Sequence, residues 1–201
     1  MTDLPTRLPS SPAMSAMDAI HQRRSVRNYT QQVVNRTTIE TLLNAAVLAP
    51  TARHQEPWAF VVLQDRSVLN RLSDSTKNMV RAEAKGADSS SSKQMLHHVA
   101  NPDFHVFYNA GTLIIICGKF AGSFVEADCW LAAENFMLAA CANGLGTCTI
   151  GFAVNTLNTA EWKAELNISA EMTVIAPVIV GVPAGENAPT SRKPPEILLW
   201  K

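Results

Sequence analysis

The chain has 201 residues, 47% apolar and 17% charged, which is enough length and apolar content for one folded domain with a sizeable core. Seventeen basic side chains balance seventeen acidic ones, and the sparse aromatics (6%) are not interleaved with a basic stripe, so neither nucleic acid nor an anionic membrane is an expected partner. The most apolar stretch, residues 129–142, is broken by Glu134-Asn135 and is too short to span a bilayer.

Residues 1–13 carry no apolar signal segment and read as a loose leader, with residues 14–201 as a single domain. Ser15-Ala16-Met17-Asp18 has capping-box spacing with a short acid, and Met17 and Ile20 continue a helix predicted to end near Arg23. Residues 23–27 then read Arg-Arg-Ser-Val-Arg. By itself this run has two readings: basic residues at the negative end of a helix, or rigid donors and a hydroxyl gathered for a phosphate. Thr37-Thr38-Ile39-Glu40 has capping-box spacing again, and Ile39, Leu42, Leu43, Ala46 and Val47 recur at helical intervals until Pro50 stops the helix. After Ala49-Pro50-Thr51-Ala52-Arg53-His54-Gln55-Glu56-Pro57, residues 58–63 read as a buried strand.

Residues 67–72 look helical, but over 73–104 no core face emerges and Gly86-Ala87-Asp88 runs into four serines; such a stretch is either disordered or a lid. His97, His98 and His105 lack the spacing of a metal helix, so no metal is expected. A second strand is predicted over 112–117. Residues 124–143 are apolar nearly all round, the mark of a helix buried in the core, with Asn143-Gly144 as its exit. A third strand is predicted over 147–152, a short helix capped by Asn158-Thr159 runs to Leu166, and a fourth strand over 173–182 is interrupted by Pro177. Ser191-Arg192-Lys193-Pro194 is a second basic cluster, and the apolar tail 196–200 reads as a fifth strand or an arm on a partner. Four cysteines, Cys117, Cys129, Cys141 and Cys148, sit in apolar runs without C-x-x-C spacing, predicting free buried thiols and a reducing, cytoplasmic setting. No Ser-His-Asp order or nucleophile elbow points to a hydrolase. The pattern is α+β, with helices flanking a sheet.

Taken together, the 23–27 run, the 49–58 segment and the 191–194 cluster resemble the nitroreductase family of FMN-dependent oxidoreductases, and the resemblance extends over residues 16–200. It implies a central, mostly antiparallel sheet in a homodimer, with FMN between the subunits. Arg23 and Ser25 would reach the FMN phosphate, Arg24 would contribute mainly through its backbone, and Arg27 would lie by the pyrimidine edge of the ring. Pro50, Thr51, Ala52 and His54 match a segment that reaches across the interface to the other subunit's flavin, although His54 and Glu56 replace the family's asparagine and glutamine. Glu56 would pair with Arg53 or face water. Gly144-Leu145-Gly146-Thr147 resembles the family's Gly-Leu-Gly-Ser block, which implies that the backbone of Thr149, Ile150 and Gly151 lies beside flavin N5. Arg192 matches the C-terminal phosphate-binding arginine, and Lys193 would compensate for Thr190, where the family often has a base. The implied activity is hydride transfer from NADH or NADPH through N5 to a nitroaromatic, quinone or similar acceptor, in ping-pong fashion and with no catalytic side chain. Reductive dehalogenation on the same scaffold, or a flavin-binding sensor or store, are the alternatives.

Overall fold

A computed structural model describes residues 14–84, 96, 99–101, 103–185 and 187–201. The predicted leader, His97, His98 and the serine run at 89–92 lie outside the described residues. Helix α1 (Ala16–Gln22) opens on the expected capping box: Ser15 Oγ accepts from Asp18 N at 3.1 Å, and the Asp18 carboxylate accepts from Ser15 N. Helix α2 (Arg36–Ala46) starts earlier than its Thr37 signal suggests. Asn35 is the cap, accepting from Thr38 N at 2.9 Å, and Glu40 pairs with Arg36 at 2.7 Å instead of closing a box.

The sheet contains β1 (Trp58–Leu63), β2 (Thr112–Gly118), β3 (Gly146–Thr149) and β4 (Thr173–Gly181) in the order β1-β2-β4-β3, with every neighbouring pair antiparallel. All seven residues of β2 are buried, which explains its unbroken apolar run. Leu113, Ile115 and Cys117 face one core; Ile114 and Ile116 face the other. On the second face lies α4 (Val125–Ala142), whose Cys129, Phe136 and Ala140 pack with Leu42 of α2 and Trp58. On the first face lie Leu69 and Leu72 of α3 (Arg66–Ala84), Leu157 of α5 (Val154–Leu157) and Trp162 of α6 (Ala160–Glu165). This is the α+β arrangement expected from the sequence.

Three elements depart from expectation. The helix expected to end at Leu72 continues to Ala84, because Ser73 and Thr76 occupy core positions in the stripe Leu69-Leu72-Thr76-Val80. These polar residues interrupt the apolar signal, yet Ser73 Oγ is used, accepting from Val106 N at 3.0 Å. Strand β3 stops at Thr149, and Gly151–Ala153 form a 3-10 turn. The cause lies across the sheet: Pro177 has no N–H to extend the ladder, so its carbonyl takes one last bond from Ile150 N at 2.9 Å and the chain turns away. Strand β4 itself runs through Pro177 without a break, since the missing donor points to the side where β3 has ended. The tail forms no strand; Leu198 and Trp200 are 90% and 85% exposed.

The four cysteines are free, and Cys117, Cys129 and Cys148 are buried. Burial pushes the Cys117 thiol up to about 11 and that of Cys129 to about 12, so neither is a ready nucleophile. Among the described residues no helix is long and apolar enough to cross a membrane.

His105 provides a pH test of this packing. Its Nδ1 accepts from Phe107 N at 3.2 Å and its Nε2 lies 3.1 Å from Asn70 Oδ1, which selects the neutral ring. Burial first, then Arg66 and Lys77, holds its pKa down to about 4 against an ordinary 6.5. Between those values the unfolded chain binds the extra proton and the folded one does not, so stability falls as pH drops from 6.5 towards 4. Urea midpoints measured across that window are expected to decline more steeply in the wild type than in His105→Asn.

Candidate functional site

Strand β3 is at the edge of the sheet, and its outer side is covered by residues 25–29. Ser25 and Thr147 form a parallel bridge, and Val26 N donates to Thr147 O at 2.9 Å. The fit depends on Gly146, where a Cβ would come within 2.6–2.9 Å of the Val26 side chain. The next residues bind the end of β4 in the same way. Thr30 N donates to Val182 O at 2.9 Å, Ala184 N to Asn28 O at 3.0 Å, and Asn28 Nδ2 to Ala184 O at 2.9 Å. Tyr29 lies over Gly181, where a Cβ would be 2.8 Å from its ring, and its buried hydroxyl donates to Val26 O at 2.8 Å. Burial drives the Tyr29 pKa far above its ordinary value, so the hydroxyl remains a donor.

This pairing brings two basic stretches of the chain together. Arg24, Ser25, Arg27 and Asn28 face Asn187, Ala188, Thr190 and Arg192 across a cleft of about 530 Å³. An adjoining cleft of about 380 Å³ is lined by His21, Arg23, Arg24, Ser25, Thr190 and Arg192. Among the described residues only one acid pairs with any of these arginines: Glu134, 3.5 Å from Arg23 Nε. The Arg24 guanidinium donates to His21 O at 2.6 Å and Arg23 O at 2.8 Å, closing the end of α1. The first reading of the 23–27 run, a basic residue at the end of a helix, holds at Arg24, which also lines both clefts. Arg27 lies 5.9 Å above the Tyr108 ring, a cation–π contact. Tyr108 itself is held in the left-handed region at φ 50°.

Beyond β3, Ile150 is buried while Gly151 is exposed, and a Cβ at Gly151 would meet nothing within 4 Å. The backbone here is open to a flat ligand. The Cys148 thiol just before it is raised by burial, against the pull of Arg27. Four arginines unpaired or weakly paired among the described residues suit a ligand carrying a phosphate, whereas Thr149, Ile150 and Gly151 line neither cleft.

The structure brings Arg23, Arg24, Ser25, Arg27 and Arg192 together. Lys193 is exposed and lines neither cleft; Thr190, in the position it was expected to compensate for, lines both. Asn28 and Asn187 were not expected from the sequence, and only the 28–184 pairing reveals them. Pro50, Thr51, Ala52 and His54 line neither cleft within the chain. Glu56 forms no ion pair with Arg53, and both are exposed.

The sequence profile described as "Nitroreductase family" matches residues 20–182. An Archaeoglobus fulgidus protein with the provisional name NADH dehydrogenase/NAD(P)H nitroreductase is 30% identical over 172 residues, covering 83% of this chain and 84% of that one. A Bacteroides fragilis nitroreductase solved with bound FMN superposes with a TM-score of 0.80 at 23% identity, over 92% of this chain and 98% of the other. An iodotyrosine deiodinase bound to FMN and 3-iodo-L-tyrosine superposes at 0.71 with 17% identity, over 93% and 98%.

Since Val26 occupies the space a side chain at 146 would need, Gly146→Ala is expected to lift the 25–29 segment from β3. Urea denaturation should register a loss of about 1–3 kcal/mol, the usual cost of overpacking.

Proposed function

The chain belongs to the nitroreductase family of flavin-dependent NAD(P)H oxidoreductases, and we propose that it holds FMN in the cleft between residues 23–28 and 187–192. The observation that carries this reading is the convergence of Arg24, Ser25, Arg27, Thr190 and Arg192 on one opening. FMN, when bound, supplies the ring that takes hydride from NADH or NADPH and passes it to a nitroaromatic, quinone or similar conjugated acceptor.

The chain's own residues bind and orient. Arg23, Ser25 and Arg192 would hold the phosphate through charge-assisted bonds, with Arg24 and Thr190 beside them. Arg27, in cation–π contact with Tyr108, would serve the pyrimidine edge, where a cation would favour the electron-rich reduced ring. Of the backbone N–H groups at Thr149, Ile150 and Gly151, that of Ile150 is taken by Pro177 O, so those of Thr149 and Gly151 would serve the ring without titrating, and the absent side chain at 151 would let it approach closely. Donor and acceptor use one open face in turn, which requires no nucleophilic or basic side chain. Reductive dehalogenation is the second reading, favoured by the deiodinase likeness. Oxidation of NAD(P)H by the flavin-loaded protein, followed by reoxidation with nitroaromatic, quinone and halophenol acceptors, separates the two and also tests for a non-catalytic flavin store.

The phosphate assignment has a direct test. Arg23→Ala and Arg192→Ala are each expected to weaken FMN binding by about 1.5–3 kcal/mol, measured by fluorescence titration. Riboflavin, which lacks the phosphate, should be much less sensitive to both; equal losses for the two ligands would place these arginines elsewhere.

We also infer a homodimer. Phe124, Trp130 and Leu131 around α4 are 37–59% exposed, and Ile197, Leu198, Leu199 and Trp200 form an apolar arm with no fixed place on the chain's own sheet. A second copy would cover these surfaces and bring its Pro50, Thr51, Ala52 and His54 to the cleft. Sedimentation equilibrium of the FMN-loaded protein at micromolar concentration should give twice the chain mass of 21.8 kDa.

A further inference from the structure

Asp128 is the only charged residue buried among those described, 5% exposed, and no cation pairs with it. A carboxylate in such surroundings requires a donor of its own. The donor comes from outside α4: Ala52 N points at Asp128 Oδ2 across 3.1 Å. Seven residues along the same helix, Asn135 Nδ2 donates to Ala45 O at 3.3 Å. Seven residues is close to two helical turns, so both side chains point the same way, Asn135 holding the last turn of α2 and Asp128 the connection that follows it to β1.

That connection is strained. Arg53, His54 and Glu56 have φ values of 56°, 51° and 43°, in the left-handed region that non-glycine residues avoid. A chain that is free to relax leaves such a conformation, so it persists only where its surroundings hold it. Downstream, Pro57 O accepts from Lys119 N at 2.7 Å and Trp58 enters β1. Within the segment, Glu56 N reaches Thr51 Oγ1 at 3.4 Å. At the upstream end the hold from elsewhere in the fold is Asp128.

We propose that Asp128 is a positioning residue, its buried carboxylate fixing residues 51–56 in their left-handed shape and thereby the surface they present to the flavin of a second copy. The second half of this statement rests on the functional reading above; the first half does not. Ionic and neutral acceptors are both adequate for one N–H, so Asp128→Asn retains the hold and Asp128→Ala removes it.

Trypsin cleavage after the exposed Arg53 reports the loop without any cofactor. Asp128→Ala is expected to speed that cleavage about tenfold with Asp128→Asn near the wild type, the scale set by one unsatisfied buried N–H. Cleavage after Arg71 and Arg81 in α3 should be unchanged. If all sites accelerate together, Asp128 serves only global stability and the proposal fails; unchanged cleavage after Arg53 also sinks it. Should Asp128→Ala not fold, hydrogen exchange of the wild type decides: the Ala52 amide must exchange at least about tenfold more slowly than the Arg53 amide, which has no intrahelical partner in the first turn of its 3-10 helix. The flavin link is read separately, as an FMN dissociation constant about tenfold higher in Asp128→Ala and near the wild type in Asp128→Asn. A loosened loop with unaltered FMN affinity overturns that link. A wild-type chain that binds no FMN at all overturns the functional reading, and the loop anchor is then judged by the protease result.

Discussion

The seating of Val26 on Gly146 governs the rest of this site. An edge strand carries a row of unused backbone donors and acceptors, and here β3 gives them to the 25–29 segment rather than to solvent or another chain. Close approach requires a position without a side chain on the strand, and the same device recurs where Tyr29 meets Gly181. With these two contacts in place, residue 28 is locked to residue 184, and the basic residues on either side face one another across the cleft. No side chain in the cleft has to find its partner by itself. The backbone pairing beneath carries it there.

That arrangement concentrates positive charge in a chain with no net charge. Arg24, Arg27 and Arg192 stand around one opening with no acid paired to them among the described residues, and Arg23 has one half-exposed glutamate at 3.5 Å. Like charges held together oppose folding, and an anion between them reverses the sign of that contribution. A ligand that binds only the folded chain then stabilises it by mass action. An anion bound at this cleft would therefore couple binding to folding through electrostatics, without any moving part.

Helix α4 organises the other side. Its apolar surface fills the core between α2 and the sheet, and three of its polar residues each hold a different segment: Asp128 the backbone at Ala52, Glu134 the Arg23 side chain, and Asn135 the end of α2 at Ala45. A helix that is apolar nearly all round reads as simple core. Among the few polar positions it keeps, Asp128 and Glu134 reach out to the candidate binding segments.

Much of the fold is legible in the amino-acid sequence because periodicity records burial. The all-buried β2 and the core helix α4 stand out as apolar runs, and Ser15 and Asp18 mark the first helix by chemistry that acts within four residues. The family resemblance singles out Arg23, Arg24, Arg27 and Arg192 as candidate flavin-binding residues, and the structure gathers them around two adjoining clefts. Where local and global demands diverge, the sequence misleads: Ser73 and Thr76 hide about three turns of α3, and Pro177 ends β3 from a different strand. Which edges meet, that Thr190 rather than Lys193 faces the cleft, and that Asp128 reaches Ala52, were decided by tertiary structure. The physical reason is that these contacts join backbone atoms far apart in the chain, and a residue's side-chain type records how deeply it is buried without recording which distant backbone lies beside it.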